Sequence, residues 1–209
     1  MKKLTHPKGD GIGGKAAGIE ALESLVARGV FKELLLDMCK DTRYRKADVI
    51  HPFVPKTSVL CSGHFQSYIG QDRISSAIQC KDPLGIADAI LKTPIQDSKT
   101  FNAAKRILES TSGPLAIRSS ASCEDGTVRS PFAGDFDTAF IVSNPEIAIE
   151  TRIEAFLKAV RFVYSSFFCN KVQTKMHAFD INPDHHTMSV LVQNIVGTGL
   201  LHNSDLVLT

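Results

Sequence analysis

Residues 116–138 read AIRSSASCEDGTVRSPFAGDFDT, and the fold of the second half of the chain is organised around this stretch. The apolar residues from Pro114 to Ile117 predict a short strand that runs into Arg118. The polar stretch from Ser119 to Pro131 predicts a loop that is long for a compact domain, and such loops are usually functional or disordered. Residues 136–142 then alternate like a strand. We therefore expect two strands here, joined by an unusual loop.

Downstream of this stretch, Asn144-Pro145-Glu146 predicts a helix start, with Asn at the cap and Pro at the first helical position. Apolar residues at helical spacing predict that this helix runs to about Lys175. Its aromatic residues are expected to form a core, or a surface covered by another part of the protein, rather than a platform for stacking bases: Phe156, Phe162, Tyr164, Phe167 and Phe168.

The last segment of the chain predicts strands. Asn182-Pro183-Asp184 interrupts the helical pattern, and residues 188–196 are strongly apolar. A turn at Gly197-Thr198-Gly199 predicts a hairpin into a strand over residues 200–208.

Upstream, the pattern is mostly helical. A helix is expected from about Lys15, with Ile19, Leu22, Leu25 and Val26 on one face and Gly29 near its end. We expect further helices over residues 31–40, 64–69, 74–79, 84–91 and 100–108, a short strand over residues 54–61, and irregular chain over residues 41–53. Asp97 or Ser98 is expected to cap the helix over residues 100–108.

These patterns predict an α+β fold with a soft boundary near residue 112. Residues 1–112 are expected to form a mostly helical part, and residues 113–209 a mixed sheet with helices and at least one antiparallel hairpin.

Composition excludes several classes of protein. The chain has 209 residues, 43% hydrophobic, and a net charge of +2, which does not indicate a dedicated nucleic-acid binder. No apolar run approaches the length of a membrane span. The five cysteines are widely spaced without a CxxC motif, which is typical of reduced thiols in a cytosolic protein.

A glycine-rich segment, Gly9 to Lys15, matches two nucleotide-binding motifs in residue type and spacing, but lacks the context that each motif requires. GxGxxG requires a strand in front of it, and only eight mostly polar residues precede Gly9. GxxxxGK requires Ser or Thr after the lysine, and Ala16 stands there. Two interpretations remain open: an anion site at a helix start beside Lys15, or a flexible leader with a solvated lysine.

Arg118 also has two open interpretations. A guanidinium contacts two phosphate oxygens at once, so an arginine at the end of a strand suits a triphosphate. Alternatively, Arg118 forms an ordinary surface ion pair with Glu124 or Asp125.

Taken together, four segments resemble the N-terminal ATP-binding domain of phosphoenolpyruvate synthase, pyruvate phosphate dikinase and the rifampicin phosphotransferases. The arginine loop quoted above is the most specific of them. The others, in chain order, are GGKAAGIEAL (13–22), VPKTSVLCSGHFQSYI (54–69) and SVLVQNIVG (189–197).

This resemblance implies the N-terminal part of an ATP-grasp module. It implies that Lys15 and Arg118 act on the nucleotide phosphates as the catalytic cations. It implies that Gly134 and Thr138 lie in the loop that closes over the phosphates, and that Gln193 lies on the strand beside the adenine. The sequence departs from the family at Asp135, where glutamine is usual, because a carboxylate there would repel phosphate unless magnesium bridged them.

The resemblance also implies a function: ATP passes a phosphoryl group to a histidine, and from there to pyruvate or a similar acceptor. The family's magnesium ligands and its phosphohistidine domain lie beyond the segments found here, so we expect ATP and Mg²⁺ as cofactors, most metal ligands outside this chain, and an inactive isolated chain. A partner therefore has to supply the second half of the module. The alternatives are a nucleotide-binding regulatory module and a structural remnant that forms homo-oligomers. His185 and His186 are not expected to form a metal site.

Overall fold

The computed structural model describes residues 11–30, 54–80, 82–124, 132, 134–196 and 207–208. The helix expected over residues 31–40, the irregular stretch over residues 41–53 and the turn at residues 197–199 lie outside these residues.

Seven α-helices and five strands are described in this part of the chain. In chain order they are α1 (Gly13–Ala27), β1 (Thr57–Leu60), α2 (Ser62–Ile69), α3 (Asp72–Gln79), α4 (Pro83–Lys92), α5 (Ser98–Glu109), β2 (Gly113–Ala121), β3 (Thr138–Ser143), α6 (Ile149–Ser166), α7 (Asn170–Ala178), β4 (Met188–Asn194) and β5 (Val207–Leu208). A short 3-10 helix, Pro183–His185, precedes β4 at the predicted break. The α+β class is therefore confirmed.

The sheet has the strand order β1-β4-β2-β3-β5, and all described pairs are antiparallel. The expected mixed sheet is therefore wrong for the described strands, because β4 runs between β1 and β2 and opposite to both. The antiparallel pair of β2 and β3 is confirmed. The hairpin expected between β4 and the last strand does not form: both edges of β4 are occupied, and β5 pairs with β3 instead.

One face of the sheet lies in the core. Residues that alternate along β2 and β4, such as Leu115, Ile117, Val190 and Val192, are at most 1% exposed. Helix α6 packs against β2, β3 and β4, and α4 and α5 pack against α6. The opposite face is more open, since residues such as Arg118, Phe140 and Gln193 are only partly buried.

The long helix expected over residues 144–175 is wrong in its start and in its continuity. The Asn144 side chain accepts a hydrogen bond from the Glu146 backbone N–H at 3.0 Å, which forms a turn, and α6 begins only at Ile149. The chain then leaves the helix after Ser166, where Phe167 and Phe168 donate backbone hydrogen bonds to residues three positions earlier. These two rings pack around Phe65, with centroid distances of 5.4 and 6.3 Å.

The aromatic residues expected to be core are confirmed as core. Phe156, Tyr164, Phe167 and Phe168 are buried, and Phe162 packs against the same cluster. Phe65, on α2, contacts Tyr164 edge to face at 5.0 Å, so residues on both sides of position 112 share one core. The division into 1–112 and 113–209 as separate parts stays a prediction.

Helix α1 packs on the sheet through its first turn. Ala16 is its only buried residue within the described chain, and Leu22 is 41% exposed. Of the apolar stripe predicted for α1, Leu22 is therefore exposed, and Ile19, Leu25 and Val26 are only partly buried. No described helix combines the length and the apolar character needed to cross a lipid bilayer.

Candidate functional site

Arg118 lies inside β2 rather than at its end. The strand continues through Ser119, Ser120 and Ala121, which pair with Val190, Ser189 and Met188 of β4. The serines therefore belong to the sheet and not to the loop, and both are fully buried. This extension is not apparent from the sequence, because serine is a common loop residue.

Thr138 and Gln193 share a face of the sheet with Arg118. Thr138 is the register partner of Arg118 on β3, so their Cα atoms lie about 4.5–5.5 Å apart. Gln193 pairs with Ala116, which is two residues from Arg118 and therefore on the same face, about 7 Å along the strand. The Gln193 amide donates a hydrogen bond to the Thr57 hydroxyl at 3.2 Å, which holds the side chain towards β1.

The start of α1 rests on this same face, at the end where β2 leaves the sheet. Gly13 has φ +74°, and a Cβ built on it would lie 2.0 Å from the Ser120 carbonyl oxygen. Any side chain there would push α1 away from β2, and the backbone conformation also favours glycine. The Ser120 hydroxyl donates to the Ile12 carbonyl at 3.0 Å and accepts from the Ala16 N–H at 3.2 Å. One glycine of the GGK segment is therefore required by a close backbone approach.

Lys15 reaches the end of β2 from the first turn of α1. Its ammonium donates a hydrogen bond to the Ser119 hydroxyl at 3.2 Å and forms an ion pair with the Glu124 carboxylate. The Lys15 side chain is 24% exposed and that of Glu124 is 0% exposed. The structure therefore brings Lys15 next to the residue that follows Arg118.

Glu124 therefore pairs with Lys15, and not with Arg118 as one part of the ion-pair alternative expected. Among the described residues, the Arg118 guanidinium has no carboxylate partner. Asp125, the other candidate partner, lies outside the described residues.

Gly134 and Asp135 lie in the turn that leads into β3. Gly134 has φ +76° and is exposed, with open space where a Cβ would lie. The buried rings of Phe132 and Phe136 anchor the turn on either side, with their centroids 6.1 Å apart. Gly134 thus lies at the surface, four residues before Thr138 in the chain.

Asp135 is neutralised by two lysines of α7. Its carboxylate accepts from the Lys171 ammonium at 2.6 Å and from the Lys175 ammonium at 2.5 Å. Burial alone would raise the pKa of the Asp135 carboxyl, but the hydrogen bonds and charges of Lys171 and Lys175 hold that pKa below its ordinary value. The repulsion of phosphate that the sequence suggested for this residue is therefore offset by its own partners.

The histidines make local contacts. The His186 Nδ1 atom lies 3.1 Å from the Ser122 hydroxyl, and the His64 Nδ1 atom lies 2.8 Å from the Thr100 hydroxyl. In the part of the chain that the structure describes, no group of three or more His, Cys, Asp or Glu side chains could hold a metal ion. The described residues therefore do not by themselves fit a magnesium site.

The contacts that Gly13, Ser119 and Glu124 make in this region were not predicted from the sequence. Glu124 was considered only as a partner for Arg118, because the two are close in sequence. Lys15 is 109 positions away from Glu124 in the sequence, and local sequence patterns do not predict contacts between residues so far apart.

Comparison with known proteins identifies the family. A search of curated proteins gave no match. Residues 42–200 match the family described as "Pyruvate phosphate dikinase, AMP/ATP-binding domain". The matched range includes Arg118, Gly134, Thr138 and Gln193, and it begins after Lys15. Because this match covers more than half of the sequence, the chain belongs to the family of pyruvate phosphate dikinase AMP/ATP-binding domains.

Proposed function

We propose that the open face of the sheet binds ATP, with the adenine beside Gln193 and the phosphates beside Arg118 and Lys15. The observation that carries this proposal is the common face shared by Arg118, Thr138 and Gln193 on three adjacent strands. Lys15 supplies a second cation at the end of β2, where its ammonium contacts Ser119, whose side chain lies on the opposite face of the strand from that of Arg118.

The chemistry of these side chains suits a nucleotide. The Arg118 guanidinium offers a planar pair of N–H donors to phosphate oxygens, and no described carboxylate competes for it. Thr138 contributes a hydroxyl, and Gln193 contributes an amide that donates and accepts hydrogen bonds. Gly134, exposed and without a side chain, permits close approach of the backbone to a phosphate.

We further propose that the chain is the first part of an ATP-grasp module in a phosphotransferase that passes a phosphoryl group to a histidine and on to pyruvate or a similar acceptor. The antiparallel sheet with helices on its buried face is compatible with this assignment. In such a reaction, Arg118 and Lys15 would stabilise the charge on the transferring group.

Magnesium ligands are expected outside the described residues, since these hold no suitable group of side chains. We therefore expect the isolated chain to bind ATP without transferring its phosphoryl group. The same observation favours a second candidate, a regulatory module that binds the nucleotide without catalysis. Consumption of ATP, followed by chromatography after the remaining family domains are supplied, separates the two, because a regulatory module leaves ATP intact even then.

Isothermal titration of the chain with ATP and magnesium tests the binding proposal. We expect Arg118→Ala to raise the Kd roughly tenfold to a hundredfold, because it removes a charged hydrogen-bonded contact that contributes about 1.5–3 kcal/mol.

The matched control is Arg106→Ala, which removes an exposed arginine of α5. It should leave the Kd within about twofold, since surface substitutions away from the site have small effects. Equal losses in the two variants, or no binding by the wild type, would contradict the site assignment.

A further inference from the structure

Glu124 is a carboxylate buried at the end of β2. Its side chain is 0% exposed, and its backbone N–H donates to the Ala121 carbonyl at 3.1 Å in a tight turn. A charge in such a place is retained only when it is paired and hydrogen-bonded. The environment of Glu124 is therefore informative about its role.

The groups around the Glu124 carboxylate include the Lys15 ammonium, which we assign to the phosphates. One oxygen pairs with the Lys15 ammonium. The other lies 3.3 Å from the Ser119 hydroxyl and 3.4 Å from the Ala121 N–H, both of which can donate to it. Ser119 also accepts a hydrogen bond from Lys15, so the three side chains form a closed triangle.

This triangle fixes the position of the Lys15 ammonium. An ammonium has three N–H donors, of which Glu124 and Ser119 take two, so one donor remains for a further acceptor. Lysine side chains are otherwise flexible, and ordering one on binding costs conformational entropy. A lysine that is already held beside β2 does not incur this cost when a phosphate arrives.

We propose that Glu124 is a positioning residue that holds Lys15 ready to contact the nucleotide phosphates. The inference rests on the proposed function, since it assigns Lys15 to the phosphates. It goes further by giving a role to a buried carboxylate that contacts no nucleotide itself.

A double-variant cycle tests this role. The Kd for ATP with magnesium is measured by isothermal titration for the wild type, Glu124→Gln, Lys15→Ala and the double variant. Glu124→Gln should raise the Kd roughly tenfold when Lys15 is present, a coupling expected for charged residues in contact. In the Lys15→Ala background the same change should alter the Kd by less than about twofold.

Two outcomes overturn the proposal. An equal loss in both backgrounds means that Glu124 acts only through the fold. Tighter binding by Glu124→Gln means that the carboxylate competes with phosphate for Lys15. The matched control, Glu109→Gln, changes a glutamate that is 54% exposed on α5 and should leave the Kd unchanged.

The Arg118→Ala variant separates this inference from the proposed function. If the wild type does not bind ATP, or Arg118→Ala has no effect, both fail. If binding depends on Arg118 but Glu124 and Lys15 do not couple, only the positioning role fails.

A second measurement does not depend on ATP binding and uses only variants that unfold cooperatively on heating. Acetylation of lysines by an N-hydroxysuccinimide ester, followed by mass spectrometry, reports how freely each ammonium reacts. Lys15 should react more slowly than Lys105 in the wild type, and several-fold faster in Glu124→Gln than in the wild type. An unchanged Lys15 rate in Glu124→Gln would contradict the pairing.

Discussion

At the scale of single residues, the two cations of the proposed site differ in their surroundings. Lys15 is neutralised by a buried carboxylate, whereas Arg118 has no carboxylate partner among the described residues. If the proposed site binds phosphate, we therefore expect Arg118 to supply the larger net attraction and Lys15 to supply a donor in a defined position. In the local sequence the two residues are alike, since each is a cation beside a polar segment. The difference between them therefore arises from tertiary contacts.

The Lys15–Glu124 pair predicts an unusual order of stabilities. Lys15→Ala leaves the buried Glu124 carboxylate without its ammonium partner. Breaking a buried ion pair costs about 3–5 kcal/mol. Because Lys15 is partly exposed, we expect a loss at the lower end of that range, about 3 kcal/mol in the free energy of unfolding. The double variant Lys15→Ala/Glu124→Gln removes the buried charge that Lys15 no longer neutralises and should recover at least about 1 kcal/mol. Urea denaturation at neutral pH measures both.

Lys105→Ala is the control for that measurement, because Lys105 is exposed on α5 and its pair with Glu109 is long, at 4.0 Å. A double variant less stable than Lys15→Ala alone would show that Glu124 is stabilised by groups other than Lys15.

At the scale of secondary-structure elements, two similar sequences end in different structures. Asp97 accepts hydrogen bonds from the backbone of Lys99 at 3.2 Å and Thr100 at 3.0 Å, and so caps α5 as expected. Asn144 makes the equivalent contact with Glu146, yet only a turn follows. The helix begins instead at Ile149, within one turn of Ile153, which lies in the core. Capping chemistry permits a helix start, and burial of an apolar face selects where it occurs.

The Asp97 cap predicts a pH-dependent contribution to stability. Hydrogen bonding with the Thr100 side chain, more than the opposing effect of burial, lowers the pKa of the Asp97 carboxyl in the folded state. Its contribution is therefore present above the ordinary aspartate pKa of about 3.9 and is lost as the pH falls through the lowered pKa.

We expect Asp97→Ala to cost about 1 kcal/mol at pH 7 and progressively less below about pH 3.9, measured by urea denaturation across that range. Asp88→Ala, in the exposed middle of α4, is the control and should cost little at either pH. A constant difference between Asp97→Ala and the wild type at all pH values would contradict the cap.

At the scale of the whole molecule, residues on both sides of position 112 pack into one core. Phe65 lies among Tyr164, Phe167 and Phe168, and the Arg161 guanidinium donates to the Leu91 carbonyl at 2.7 Å. Strand β1 likewise pairs with β4. We therefore expect the described parts of the two predicted halves to unfold together.

Phe65→Ala tests this cooperativity. We expect it to lower the free energy of unfolding by about 3–5 kcal/mol, because it leaves a cavity in a fully buried cluster. Far-ultraviolet circular dichroism and tyrosine fluorescence should report one coincident transition in urea, before and after the change. Phe101→Ala, on the exposed side of α5 with 41% exposure, should shift that transition little. Two separate transitions would support independent halves instead.

Much of the local structure was predictable from the sequence. The helices α2 to α5 and the strands β1 to β4 follow apolar periodicity, turn residues and caps, which act over a few neighbouring residues. The errors occurred where distant contacts decide: the continuation of β2 through its serines, the break between α6 and α7, and the pairing of β5 with β3. Each of these three features depends on contacts with segments that are distant in the sequence.

The amino-acid sequence identifies the chemical groups that are present, including the cations Arg118 and Lys15, and it identifies the family through residues 42–200. The pairing of Glu124 with Lys15, and the face that Arg118, Thr138 and Gln193 share, became apparent from the fold alone. Ion pairs and strand register depend on the packing of segments up to 109 residues apart, whereas periodicity and capping act between near neighbours.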